Sequence, residues 1–299
     1  MLEICLIHMK KIGKQRLLII GCGDIGMRLI KLLGARWHVY AVTRQPERRA
    51  ALRAAGATPI VADLDQPATL ARLARLAGTI VHLAPPQSEG TLDTRTRALI
   101  PFLRPGTRMV YMSTTGVYGD CNGALIDETR AVRPQNARAV RRVDAERCLR
   151  AWALRSGSRL SILRVPGIYA GDRLPLDRLK KGTPALQQQD DVFTNHVHAQ
   201  DLARIVAQAL TRGAPGRIYH AVDDSCLMMG EYFDLVAKAY GLPPPPRLPR
   251  AELAQQVSPM LLSFMSESRR LDNRRIKGEL GVRLLYPTVA DALRELRPA

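Results

Sequence analysis

The sequence predicts an α/β chain built on a doubly wound parallel sheet, with a smaller lobe towards the C-terminus. Three observations carry this. Short runs that are mostly apolar throughout alternate with helical patterns, as strands buried on both faces of a parallel sheet do. The first run ends in a glycine-rich turn that opens a helical pattern. The alternation breaks after Arg164, where a loop-rich stretch begins.

The expected strands are RLLIIG (16–21), WHVYAV (37–42), TPIV (58–61), TIVHLA (79–84), RMVYMS (108–113) and RLSILR (159–164). Pro46 and Pro67 each sit where a first helical turn would begin, and Gly56 and Gly78 close those segments. Repeated strand–helix–strand units imply right-handed crossovers in one sheet. After Arg164, GIYAGDRLPLDRLKKGTPALQQQDD shows little periodicity. A strand-like VFTNHVH follows, then a helix from Ala199 to about Leu210, a strand RIYHAV (217–222) and a helix over 229–240. The run LPPPPRLPR reads as a stiff extended connector, and the remainder as polar helix. The expected division is a main domain of 14–167 and 192–222, a lobe of 168–191 and 223–299, and an N-terminal extension of 1–13.

Among the 299 residues no apolar run approaches the length of a membrane span, about 18 residues. The opening MLEICLIHMKKIGK has its apolar patch before its basic residues, the reverse of a secretory signal. Five cysteines, Cys5, Cys22, Cys121, Cys148 and Cys226, are odd in number and never spaced C-x-x-C. That argues for a reducing, cytoplasmic setting and against a disulfide framework or zinc site. The net charge is +18 and the pI about 10.4, a nucleic-acid-like footprint. However, 37 of the 45 basic residues are arginines spread along the chain, and aromatics make up only 5%. Specific nucleic-acid binding is therefore not expected, and attraction to small anions is.

GCGDIG places Gly21, Gly23 and Gly26 in the G-x-G-x-x-G spacing, after a strand and before the helical MRLIKLLG. That context makes it a dinucleotide-binding turn. Gly21 permits the tight bend, Gly23 the approach to a pyrophosphate, and Gly26 close helix–strand packing. Asp24 and Ile25 begin the helix whose N-terminus favours anions. Where an acidic residue would bind a ribose 2′-hydroxyl, the second strand runs into Thr43 and Arg44, with Arg48 and Arg49 nearby. A guanidinium there suits a 2′-phosphate, so NADP is expected rather than NAD. Asp63 and Leu64, Ala84 and Pro85 end the third and fourth strands, on the side where such sheets bind ligands.

The chain resembles an extended short-chain dehydrogenase/reductase, the group that includes nucleotide-sugar epimerases and dehydratases, and within it an atypical epimerase-like branch. The resemblance spans nearly everything after Lys14. It rests on GCGDIG, Asp63–Leu64, VHLA, STTGVYGD (113–120), LRVPGIYAGDR (163–173), NHVHAQDLA (195–203) and ELGVRLLYPTVADAL. It implies a Rossmann-like, NAD(P)-binding domain. It also implies that Thr114 holds the position of the Ser/Thr that hydrogen-bonds the reacting oxygen. In the segment PQNARAVRRVDAE (134–146), the resemblance puts Arg138 at the catalytic tyrosine position and Arg142 at the lysine position. Arginine cannot shuttle protons at neutral pH. Two readings stand: a solvated helix face offset by Glu146, or a grip on an anionic ligand.

Tyr118 and Tyr169 are the candidate replacements for the missing acid/base. His196 and His198 lack a third ligand for a metal. His82 reads as a core histidine and Trp152 as packing. Arg173 and Arg178 follow a turn where the family places substrate contacts. The expected function is an NAD(P)-binding, epimerase/dehydratase-like oxidoreductase with a non-standard proton donor, acting on a small anionic or sugar-like substrate. The alternatives are a catalytically idle NADP-binding sensor or interaction protein, and a basic nucleic-acid-associated protein. The oligomeric state is left open, a homodimer included.

Overall fold

The computed structural model describes residues 13–296; nearly all of the expected N-terminal extension lies outside them. Seven strands form one sheet: β1 (Gln15–Ile20), β2 (Trp37–Thr43), β3 (Thr58–Val61), β4 (Thr79–His82), β5 (Arg108–Thr114), β6 (Arg159–Val165) and β7 (Ile218–His220). Their order is β7-β6-β5-β4-β1-β2-β3, with every neighbouring pair parallel. The chain winds outward through β2 and β3, then returns past β1 to β4. The reversal between β1 and β4 opens a crevice at the carboxyl ends of the strands.

Strand residues alternate between the two faces, and both faces are covered, which is why the strands are mostly apolar. On one face, Leu17, Ile19, Val81 and Val110 pack with helices α1 (Asp24–Leu33) and α4 (Ala199–Arg212). On the other, Leu18, Ile20, Ile80 and Ile162 pack against α2 (Thr94–Leu99) and α3 (Ala137–Ser156), where Trp152 is indeed core. Burying each such side chain contributes about 1.5–3 kcal/mol. Helix α3 begins where Asn136 accepts a 2.9 Å hydrogen bond from the Ala139 amide, and it ends at left-handed Gly157. Both residue types favour such helix boundaries.

The segment after Pro67 departs from expectation: it is a 3-10 helix over Pro67–Leu73. Thr69 there donates to the Asp63 and Gln66 carbonyls and accepts from the Asp63 amide, a side-chain competition with the helix ladder. VFTNHVH is likewise two strands. Phe193–Thr194 pairs antiparallel with Leu227–Met228, and His196–His198 pairs parallel with Gly167–Tyr169. Asn195 between them bonds Arg269 and Leu271 of the C-terminal segment. A further core of Leu179, Phe233, Val236, Leu253 and Leu293 gathers around helix α5 (Met229–Ala239).

Candidate cofactor groove and substrate cleft

The glycine turn fits a dinucleotide by steric criteria specific to each position. Gly21 has φ +79°, and a Cβ on it would lie 2.6 Å from both Cα and N of Ala84. That close approach arises because the Leu83 and Ala84 amides both donate to the Ile20 carbonyl, pinning the end of β4 under the turn. A Cβ on Gly26 would meet Cys22 Sγ at 2.8 Å and Ile19 Cγ2 at 3.4 Å, so glycine favours the close packing of α1 on β1. Gly23 differs: nothing lies within 4 Å of its would-be Cβ. Gly23 is also the N-cap of α1, and no side chain caps it. The first amides of that helix, at Asp24 and Ile25, are thus free to bind an anion in the open space before Gly23.

Beside the turn lies a cavity of about 320 Å³. Gly21, Gly23, Arg44, Asp63, Leu64, Ala84 and Pro85 line it, together with Thr43, Arg48 and Arg95. Asp24, Ile25 and Gly26 stand behind it in the first turn of α1. Arg48 Nη1 donates to the Cys22 carbonyl at 2.6 Å, bracing the glycine turn. Arg95 grips Asp65 at 2.6 and 2.8 Å and donates to the Pro85 carbonyl at 3.1 Å. That bidentate bond, more than the charges of Arg95 and Arg44, holds the Asp65 carboxyl below its usual range. Arg44 is exposed at the rim and makes no hydrogen bond or ion pair among the described residues. Sequence reasoning missed Arg95, which reaches the groove from α2 across the fold.

A second cavity, of about 370 Å³, lies at the carboxyl ends of β5 and β6. Thr114, Asn136, Arg138, Arg142, Asn195, Glu267 and Arg269 contribute to its lining. Arg138 is exposed, yet both arginines line the cleft, so the solvated-face reading is corrected for Arg142. Arg142 is half-buried, and its Nη1 donates to the Met112 carbonyl at 2.8 Å and the Tyr111 hydroxyl at 3.1 Å. Desolvation, then the charges of Arg142 and Arg141, lowers the Arg138 pKa, while Glu267 opposes that shift. Arg141 turns away, buried, and donates to the Gly90 carbonyl.

Glu267 does what no local pattern announced. It accepts from Asn136 Nδ2 at 3.1 Å and Arg269 Nη1 at 2.8 Å, and its side chain is 10% exposed. Arg269 also donates to the Gly119 carbonyl. The segment bearing both is stitched across the cleft by Ser268, whose amide binds Asp120 and whose hydroxyl accepts from the Phe193 amide. Among the described residues lining this cavity, Glu267 is the single carboxylate and there is neither tyrosine nor histidine.

Several expected roles change. Glu146 does not offset the α3 arginines: it is buried, paired with Arg164 at 2.7 and 3.1 Å, and accepts from Ser113 at 2.6 Å. Tyr118 and Tyr169 are each 1% exposed and line neither cavity. Tyr118 bonds His220 at 2.5 Å under the Arg164 guanidinium, and burial pushes its phenol up to about 12. Tyr169 is packed against His198 and beside Asp223, whose carboxyl burial raises to about 7. His196 stacks on Tyr232 with ring centroids 4.1 Å apart, and His198 accepts from the Gln200 amide at the start of α4. His82 is buried with Nε2 3.0 Å from Thr96 Oγ1, the core role expected of it. Arg178 is stacked on Phe233 within the smaller core and donates to the Pro184 carbonyl, away from the cleft. Arg173 reaches the glycine turn instead.

A parallel wound sheet, a glycine turn with open space at its helix N-terminus and an adjoining cleft define a nicotinamide-dinucleotide-binding protein. The chain belongs to the NAD(P)H-binding family, which it matches over residues 21–213. A conserved protein of unknown function from Silicibacter pomeroyi DSS is 31% identical, with a TM-score of 0.77 over 95% of this chain and 98% of its own. UDP-glucose 4-epimerase from Thermotoga maritima, solved with UDP-glucose, has a TM-score of 0.76 at 16% identity over 95% and 97%. MoeE5, solved with UDP-glucose and NAD, has a TM-score of 0.73 at 20% identity over 94% and 96%. An uncharacterised protein of Schizosaccharomyces pombe is 29% identical over 74% of this chain and 79% of its own.

Proposed function

We propose that this protein is an NADP-dependent, epimerase/dehydratase-like oxidoreductase acting on a small anionic substrate, with Glu267 as its proton-exchanging group. The observation that carries the reading is the cleft lining, where one carboxylate stands among Arg138, Arg142 and Arg269. The three guanidiniums supply a grip for a carboxylate or phosphate, and Thr114 is the hydroxyl donor to a reacting oxygen. Glu267 takes the hydroxyl proton in the oxidising direction and returns it on reduction. The dinucleotide, when bound, supplies hydride acceptance and donation. Solved relatives that hold UDP-glucose support a small-molecule substrate.

In this reading the cofactor domain is 14–167 and 192–222, and the substrate lobe is 168–191 and 223–299. Gly23 and the Asp24 and Ile25 amides receive the pyrophosphate, while Gly21 permits the bend and Gly26 the packing of α1 behind it. Leu64, Ala84 and Pro85 flank the adenosine, and Asp63 accepts from the adenine amino group. The unspent donors of Arg44 support a 2′-phosphate, and no carboxylate ends β2.

Stopped-flow oxidation of bound NADPH against 2-oxo acids, anionic aldehydes and sugar nucleotides tests this. At least one anionic carbonyl compound is expected to oxidise the cofactor. Glu267→Gln is expected to bind NADPH as before and to lose about 100-fold or more in rate. Tight NADPH binding without oxidation by any member of the panel would overturn the enzyme reading in favour of an idle sensor.

A further inference from the structure

We infer that Arg173 is a pyrophosphate clamp, which leaves Asp24 to close over the bound dinucleotide. The inference rests on the cofactor reading above and adds to it a residue from the far side of the groove. Asp24 directly follows Gly23, so its carboxylate stands beside the amides that would receive a phosphate. Arg28, one turn on, holds that carboxylate through Nε at 2.9 and 3.1 Å. A second guanidinium arrives from the turn Gly171–Arg173, which follows the strand Gly167–Tyr169: Arg173 Nε lies 3.4 Å from Asp24 Oδ2. In return, Arg28 Nη2 lies 3.6 Å from Asp172 Oδ1. Two arginines and two aspartates therefore interlock between the glycine turn and the chain leading into the smaller core.

The two ties to Asp24 are unequal. Arg28 addresses both carboxylate oxygens from within the same helix, its side chain 25% exposed. Arg173 makes one longer contact, and its side chain is 36% exposed. A guanidinium has five donors, and Arg173 spends at most one of them here. The carboxylate is already neutralised by Arg28, whereas a pyrophosphate arrives with two charges and acceptor oxygens suited to a planar fork. Arg173 therefore gains by exchanging partners, and it needs to travel only from Asp24 to the adjoining amide site. The exchange draws the 171–173 turn against the cofactor, and Leu174, the next residue, packs on the smaller core. Dinucleotide binding is thereby coupled to the position of that lobe.

Isothermal calorimetry on the full chain tests this with NADPH, NADH and adenosine 2′-monophosphate, which lacks the pyrophosphate. Arg173→Ala is expected to weaken both dinucleotides about 10- to 100-fold, by the same factor for each, and to leave adenosine 2′-monophosphate unchanged. The loss is expected to persist in an Asp24→Asn background, since the clamp binds phosphate. A loss that vanishes in that background would show that Arg173 merely neutralises Asp24, and would overturn the clamp. So would unchanged affinity for both dinucleotides. Failure of the parent protein to bind any dinucleotide would instead remove the cofactor reading, and the clamp with it.

Discussion

Gly21 and Gly23 lie two residues apart in one motif, yet replacing each by alanine should damage different properties. At Gly21 the new Cβ meets backbone atoms of Ala84 at 2.6 Å, at a φ of +79°. The left-handed conformation costs about 1–2 kcal/mol for a non-glycine residue, and crowding of this kind about 1–3 kcal/mol. A loss of roughly 2–5 kcal/mol is a large part of a domain's usual 5–15 kcal/mol. At Gly23 the Cβ meets nothing within 4 Å, and φ is −85°. The change at an N-cap costs at most about 1 kcal/mol. Its methyl group, however, fills the space through which a phosphate would reach the Asp24 and Ile25 amides. Each hydrogen bond to a charged group is worth about 1.5–3 kcal/mol. Losing two lowers dinucleotide affinity at least about 100-fold, for NADPH and NADH alike. Urea unfolding and calorimetry on both variants separate the effects. A Gly23→Ala protein that binds NADPH normally, or that is as destabilised as Gly21→Ala, would refute the placement of the phosphate at this turn.

Arg44→Ala is expected to weaken NADPH about 10- to 100-fold and NADH hardly at all, as read by calorimetry; equal losses would reject the 2′-phosphate role. Glu146→Gln leaves the buried Arg164 guanidinium without its counter-charge and is expected to cost about 3–5 kcal/mol in urea unfolding. Breaking the Arg97–Asp144 pair, whose arginine is 46% exposed, should cost below about 1 kcal/mol, and similar losses for the two pairs would contradict the burial argument. Burial lowers the pKa of His82 to about 3 and of His196, His198 and His220 to about 4, from the usual 6.5. The unfolded chain binds those protons near 6.5 while the folded one refuses them, so the stability is present above pH 6.5 and is lost as pH falls towards 4. Urea midpoints measured from pH 7.5 down to 4.5 should fall steadily, and a flat profile would mean that these imidazoles are not held neutral.

The sheet was legible because its signals are local. Mostly apolar runs mark strands covered on both faces, and the glycine turn follows the first of them directly. The glycine turn was legible for the same reason, since Gly21 and Gly26 answer steric demands at their own positions and Gly23 leaves open space before the helix. Charged and phenolic side chains were not, because their partners lie elsewhere in the chain. Glu267 meets Asn136 across 131 positions, and Arg95 meets Asp65 across 30. Tyr118 and Tyr169 stand in motifs near the cleft but point into cores, where His220 and His198 meet them. Arg173 and Arg178, five residues apart, part company because one follows the groove and the other packs on Phe233. Sequence alone determined the wound sheet and its glycine turn, since backbone geometry and burial are written in residue type and spacing. Only the tertiary structure decided which charges face the groove and the cleft, because a side chain's direction is set by whatever distant segment folds against it.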